Sequence, residues 1–294
     1  IKMGIQTFID GITVGSIYAL IAIGYSMVFS ILRVINFAHG SFYMIGAVAA
    51  LTAYNLQNVS FWFALLIGLF IAALAGLFVE KIAIMPLRKK GAPRIAFLLS
   101  TLGMQIFLDN IIRILWGART RPFVAPIENV SYRFLGARIS RYEIIILVIT
   151  FLLLLFLEIF LKKFKTGKAI RATAQNPIAA GLMGIEVNNV VTITFIIAAF
   201  LGGASGILVG IYYNTVYATM GFVAGLKGFS AAILGGIGSL TGAMLGGFML
   251  GIAENIGSTI FGASIRDIIA FSIIILVLIL KPNGIMGLNI REKV

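Results

Sequence analysis

At 294 residues the chain suits one large domain or two small ones, but 60% of it is hydrophobic, 11% is charged and the mean hydropathy is +1.07. That balance excludes an ordinary water-soluble globule, whose surface needs roughly a quarter of its residues charged. The formal charge of +13 has no basic patch interleaved with exposed aromatics behind it, so nucleic acid is excluded as a partner and attraction to an anionic lipid bilayer explains it more simply. With no cysteine and a single histidine, thiol catalysis, zinc clusters and multi-histidine metal sites are also excluded, and no metal is expected.

About 20 apolar residues of helix, rising ~1.5 Å each, cross a hydrocarbon core of ~30 Å. Eight stretches reach or approach that length: Ile12–Leu32, Gly40–Leu56, Phe61–Ile84, Ile95–Leu115, Ile144–Leu161, Val190–Tyr212, Leu240–Ile256 and Ile265–Leu280. A ninth, Phe222–Gly236, covers only about 22 Å and carries Lys227, so a tilted or broken crossing is expected there. Runs such as Ile144–Leu157 do not alternate, which removes a β-barrel. The expected fold is an all-α polytopic membrane protein of eight or nine transmembrane or broken helices, in one membrane domain over 1–294. Lys2 precedes a segment too long and too late for a cleavable signal peptide.

Asn36 and His39 mark a polar gap after the first segment, where polar groups either face a cavity or tie helices together. Were that gap deep in the protein, the helix N-terminus at Gly40 and Ser41 would present free N–H groups and a positive dipole end to a carboxylate. A structural hydrogen bond is the main expectation for His39, ahead of proton relay. Lys81, Arg88, Lys89, Lys90 and Arg94 form a first basic loop. Asp109 and Arg113, at i and i+4, are expected to pair. Residues 116–142 carry five arginines, no lysine and Glu128, and form an external loop large enough to dock a partner.

The loop 162–189, KKFKTGKAIRATAQNPIAAGLMGIEVNN, is too long for a turn. Asn176 followed by Pro177 reads as a helix cap and first helical position, and Gly184 as the stop. Small residues there, among them Ala172, Ala174, Ala179, Ala180 and Gly181, let a partner approach the backbone, although an amphipathic linker on the lipid surface has the same composition. Gly238, Gly242 and Gly246 form a small-residue row, Gly247 and Gly251 a second, Gly202, Gly206 and Gly210 a third, as in close-packed membrane helices. Gly235 and Gly236 permit a broken helix whose backbone groups line a solute path. Glu254 and Asn255 either line an outer cavity or pair with Arg266, and Asp267 suits the dipole of a helix start. Since cytoplasmic loops retain lysine and arginine, both basic loops and the tail with Lys281, Arg291 and Lys293 are placed inside and the N-terminus outside.

The loop 162–189 resembles the coupling loop of ATP-binding-cassette importer permeases, and its Gly167, Arg171, Ala172, Asn176, Ala179, Ala180, Gly184 and Ile185 resemble the branched-chain amino acid permease family. GSIYALIAIGYSMVFSILRVINFAHGSFYMIGA (Gly15–Ala47) is similar to the N-terminal signature of the LivH-type subunit of that family. KGFSAAILGGIGSLTGAMLGG (Lys227–Gly247) and KPNGIMG (281–287) resemble its Gly-rich and C-terminal signatures. The loop departs from the Glu-Ala-Ala pattern of other importer families, having Ala172, Thr173 and Ala174 at its core.

The resemblance implies a permease subunit in a bacterial or archaeal inner membrane, paired with a homologous permease as a heterodimer, two cytoplasmic ATPases and an extracytoplasmic binding protein. ATP and Mg would be bound by the partner subunits; no Walker A sequence is present and no cofactor is expected. No convergent acid, base or nucleophile set marks an enzyme. The rival reading is a self-sufficient channel or proton-coupled carrier for a small polar solute such as urea or amides, with Glu254 and His39 as its candidates for ion coupling.

Overall fold

A computed structural model describes residues 2–55, 59–128, 130–134, 137–281 and 283–287. Leu56, Pro282, Arg291 and Lys293, used in the reading above, lie outside the described residues. In chain order the helices are α1 (Lys2–Leu32), α2 (His39–Asn55), α3 (Phe61–Val79), which passes through a π-helical turn (Glu80–Ile84) into α4 (Met85–Lys89), α5 (Arg94–Trp116), α6 (Arg141–Lys163), α7 (Lys165–Gln175), α8 (Pro177–Leu182), α9 (Val187–Tyr213), α10 (Met220–Gly235), α11 (Leu240–Phe261) and α12 (Arg266–Leu280). Short strands form two antiparallel ribbons: β1 (Arg121–Pro122) with β4 (Thr215–Val216), and β2 (Ser131–Phe134) with β3 (Ala137–Ser140). The protein is a helical polytopic membrane protein.

Among the described residues, six stretches are long and apolar enough to span a bilayer: Gly4–Leu32, Phe61–Lys89, Arg94–Trp116, Arg141–Lys163, Val187–Tyr213 and Leu240–Phe261. Two of the eight expected full-length spans are shorter, α2 at 17 residues and α12 at 15. The case of α2 has a clear cause. Arg33 ends α1 in the left-handed region at φ 54°, and the chain then runs without helix to His39. His39 sits against Gly24 of α1, well before the end of that helix, so α2 starts inside the bundle and needs fewer residues to reach the far end. The short stretch α10, 16 residues long, is likewise entered through a non-helical segment containing β4.

Glycine rows set the packing. The central helix α1 lies antiparallel on α11: a Cβ on Gly11 or Gly15 would stand 2.8 Å from the Cα of Ile252 or Phe248, and Gly247 and Gly251 press on the backbone of Ala19 and Gly15. Gly235 meets Gly242, and Gly246 meets Ala231, where α10 crosses α11. Gly238 does not belong to its expected row. It lies in the turn before α11 at φ 92°, because Ser239 caps α11 by accepting from the Gly242 N–H at 3.1 Å. In lipid, where apolar area gives little drive between helices, such backbone contact supplies dispersion that larger side chains would prevent. Gly251→Ala is expected to lower thermal stability in detergent by about 1–3 kcal/mol, the range for overpacking. Gly4→Ala, whose Cβ meets nothing within 4 Å, should not.

The outer faces of α3, α5 and α6 expose large apolar side chains such as Phe70, Leu99 and Phe151, as a lipid-facing wall requires. The two ends of the bundle differ. At one, Arg33 Nη2 approaches the Ala174 carbonyl at 3.5 Å, Lys81 donates to Thr192 at the start of α9, and the basic residues of α4 and α7 collect. At the other, Arg138 N–H donates to Gln6 of α1, Trp116 donates to Thr52, and β1 pairs with β4. The two basic loops therefore share one end, and the start of α1 shares the other with the arginine-rich loop. Asp109 accepts from Ser41 Oγ at 2.7 Å instead of pairing with Arg113, which is exposed.

Candidate functional site

Two cavities open toward opposite ends. The first, about 380 Å³, is lined by α1, α2, α9, α10, α11 and the first residue of α12, together with Thr215 and Tyr217. The second, about 670 Å³, lies at the basic end between Phe29, Arg33, Ala174, Gln175, Phe229 and Ile233, with Asn283 and Gly287 closing it. Helix α10 contributes to both, from Met220 to Lys227 in the first and from Phe229 in the second.

The floor of the first cavity is an ion-pair network. Lys227 Nζ stands 2.8 Å from Glu254 Oε1 and 2.8 Å from Asp267 Oδ1. Tyr18 donates its hydroxyl to Glu254 Oε2 at 2.9 Å, so both carboxylate oxygens are satisfied although Glu254 is only 2% exposed. Lys227 also lies over the Tyr18 ring, 5.9 Å from its centroid. Arg266 donates to Tyr213 Oη at 3.3 Å and to Asn255 Oδ1 at 3.1 Å. Of the two residues, Glu254 lines the cavity and Asn255 pairs with Arg266. Asp267, expected only to suit a helix dipole, also holds Lys227. An isolated charge in this setting would be costly, whereas here each has a partner of opposite sign or a hydrogen bond.

Asn36, His39, Gly40 and Ser41 line neither cavity. All four are buried: Asn36 Oδ1 accepts from the Ala38 N–H, Gly40 packs backbone to backbone on Gly221, and Ser41 is spent on Asp109. The His39 ring is held 4.5 Å from Tyr25, which in turn lies tilted against Phe229 of the second cavity at 5.8 Å. These aromatic rings fill the depth of α1 between Tyr18 and Phe29. Gly235 and Gly236 do break the helix, with Gly236 at φ 105°, but the Leu234 and Gly235 carbonyls accept from the Ile285 and Met286 N–H groups and do not face a cavity.

At the basic end, α7 folds back on α6 because Gly167 has no side chain; a Cβ there would stand 2.6 Å from Leu161 Cα. Asn176 ends α7 and caps α8, its Oδ1 accepting from Ile178 N and Ala179 N at 3.0 Å each, with Pro177 in the first position. Gly184 turns the chain at φ 83° toward α9. The outward surface differs from expectation. Ala180 is buried, turned inward as its helix packs back on the bundle, while Ile178, Leu182 and Met183 stand 77%, 85% and 83% exposed. Arg171 and Ala179 are exposed, Ala172 and Ile185 half-buried.

Sequence reasoning passed over Glu80. It is fully buried at the π-helical turn, accepting from Thr192 Oγ1 at 3.0 Å and flanked at 3.5 Å by Arg88 and Lys81, so it ties α3 and α4 to α9. The signal was a lone carboxylate ending an apolar run, with cations one and eight residues on.

Residues 7–278 match the family described as branched-chain amino acid transport system, permease component. The chain belongs to this family. It is 40% identical to the high-affinity branched-chain amino acid transport system permease protein BraD of Pseudomonas aeruginosa, over 99% of this chain and 98% of that one. The corresponding LivH protein of Escherichia coli K12 is 38% identical over 99% and 97%. A probable LivH of Methanocaldococcus jannaschii is 28% identical over 99% and 95%. Among solved structures, PsaBC from Streptococcus pneumoniae in complex with Fab matches with a TM-score of 0.50 and 14% identity, over 95% of this chain and 91% of that one, which shows a shared fold. As a member of this permease family, the protein is a transport component of a multi-pass membrane kind and not an enzyme.

Proposed function

We propose that the protein is the membrane-spanning subunit of an ATP-driven importer of branched-chain amino acids. It works beside a homologous permease, two cytoplasmic ATPases that bind ATP and Mg, and an extracytoplasmic binding protein. The basic end, with α7, α8 and the C-terminus, faces the cytoplasm; the arginine-rich end faces outward, with the N-terminus. The observation that carries the reading is that one element does two things. The α7–α8 unit presents unpartnered apolar side chains at the basic end, and its Ala174 and Gln175 form part of the wall of the second cavity.

A push on α8 is therefore a push on that wall. Arg33, bonded to the Ala174 carbonyl, carries the displacement to the end of α1. Nucleotide binding biases the bundle only if the ATPases contact α8 differently in the two arrangements, which a closing and opening ATPase pair does. The Tyr25, His39 and Phe229 rings separate the cavities and are the barrier that the second arrangement must open. Residues 36–41 act in this scheme as the seat of that barrier. That the relatives are named as components of transport systems favours this reading over a self-sufficient channel or carrier.

The test is leucine uptake in proteoliposomes. Accumulation against a gradient is expected only with both permeases, both ATPases, ATP inside and binding protein outside. Accumulation by this polypeptide alone would overturn the reading.

A further inference from the structure

The first cavity has a chemistry that the import reading does not by itself require. Three charged groups line it, Lys227, Glu254 and Arg266, and a fourth, Asp267, pairs with Lys227 from beyond the lining. The four sum to zero, and much of the remaining lining is apolar, with Val14, Ile17, Val209, Met220 and Val223 beside the tyrosines. At about 380 Å³ the space falls within the ~300–1,000 Å³ of small-molecule sites. Asp267 is 56% exposed at its side chain, so that arm of the network is loosely held, while Glu254, at 2%, is buried.

We propose that this network is a binding site selective for zwitterions, taking the free α-ammonium and α-carboxylate of an amino acid whose aliphatic side chain lies on the apolar wall. The proposal rests on the amino acid import reading. The argument is one of charge conservation. A zwitterion enters by exchange: its ammonium replaces that of Lys227 on Asp267 and Glu254, and its carboxylate takes the Lys227 ammonium so released, beside the Arg266 guanidinium. Every charge keeps a partner. An amine lacking the carboxylate adds one uncompensated positive charge to a largely desolvated site, and an acid lacking the ammonium adds a negative one. Both meet the penalty of an unpaired buried charge. Selection here is by balance of charge, independent of any selection made by the binding protein.

The experiment measures radiolabelled leucine binding to the purified permease–ATPase assembly without binding protein, at millimolar leucine. Competitors at tenfold excess are leucine, 3-methylbutylamine and 4-methylpentanoate. The wild type is expected to be displaced by leucine and by neither analogue. Glu254→Gln and Asp267→Asn each leave the site one positive charge in excess, and 4-methylpentanoate should then displace leucine at least tenfold better than in the wild type. Arg266→Gln leaves it one negative charge in excess, and 3-methylbutylamine should gain in the same way. Asp267 and Arg266 are partly exposed, so these variants keep the test alive if Glu254→Gln fails to fold. A merely structural network would lose binding in all three without opposite changes in preference. Absence of saturable leucine binding to the wild type, or a displacement order unchanged in every folded variant, overturns the proposal. Leucine uptake by the same assembly with its binding protein, measured alongside, separates that failure from failure of the import reading.

Discussion

Lys227→Met is expected to destabilise the protein by about 3–5 kcal/mol, the range for removing one partner of a buried ion pair. The lysine is only 9% exposed and sits between Glu254, at 2%, and Asp267. Removing it leaves the Glu254 carboxylate in the bundle with the Tyr18 hydroxyl as its hydrogen-bond partner. Asp267, more than half exposed, recovers its hydration and contributes little to the loss. Lys227→Met/Glu254→Gln should therefore return most of the stability, because the amide is neutral and its oxygen still accepts from Tyr18. Thermal unfolding in detergent of the wild type, the two single variants and the double variant closes the cycle. A coupling energy near zero between positions 227 and 254 would show that the pair in the structure carries no energy.

That pair marks the limit of what sequence alone reveals. Lys227 was visible as an oddity in a short apolar stretch and Glu254 as a carboxylate late in another, yet they lie 27 residues apart on different helices. Only the glycine-mediated crossing of α10 on α11 brings them together, and a glycine row states that helices touch without stating which ones. The cap of α8 was legible because it is local: Asn176, Pro177 and Gly184 act on their own backbone within a few residues. The face of α8 that points outward was not. Ala179 and Ala180 are equivalent in sequence, and packing against the bundle decides that Ala180 goes inward. Asn36 and His39 announced a break between helices, but the depth of that break depends on the turn at Arg33 and on Gly24. The ribbon of β1 and β4 was invisible for the same reason as the ion pair, since Arg121 pairs with Val216 across two intervening spans, α6 and α9.

On the proposed reading, Ile178→Asp/Leu182→Asp should have the largest effect on assembly. The two residues stand at i and i+4 on one face of α8, 77% and 85% exposed, next to Met183 at 83%. Fully burying a side chain of this size contributes about 1.5–3 kcal/mol. Interface anchors lose about 2 kcal/mol or more on truncation, and 1.4 kcal/mol is a factor of ten, so losing both weakens the ATPase complex by roughly three orders of magnitude. Placing carboxylates there adds the burden of desolvating them on docking. Little of this reaches the fold, because side chains so exposed make few contacts with the rest of the chain, and the thermal midpoint of the isolated permease should stay within a degree or two. Retention of stoichiometric ATPase through purification, with leucine uptake intact, would instead place α8 flat on the lipid surface, where aspartates at these positions would cost adsorption and not coupling.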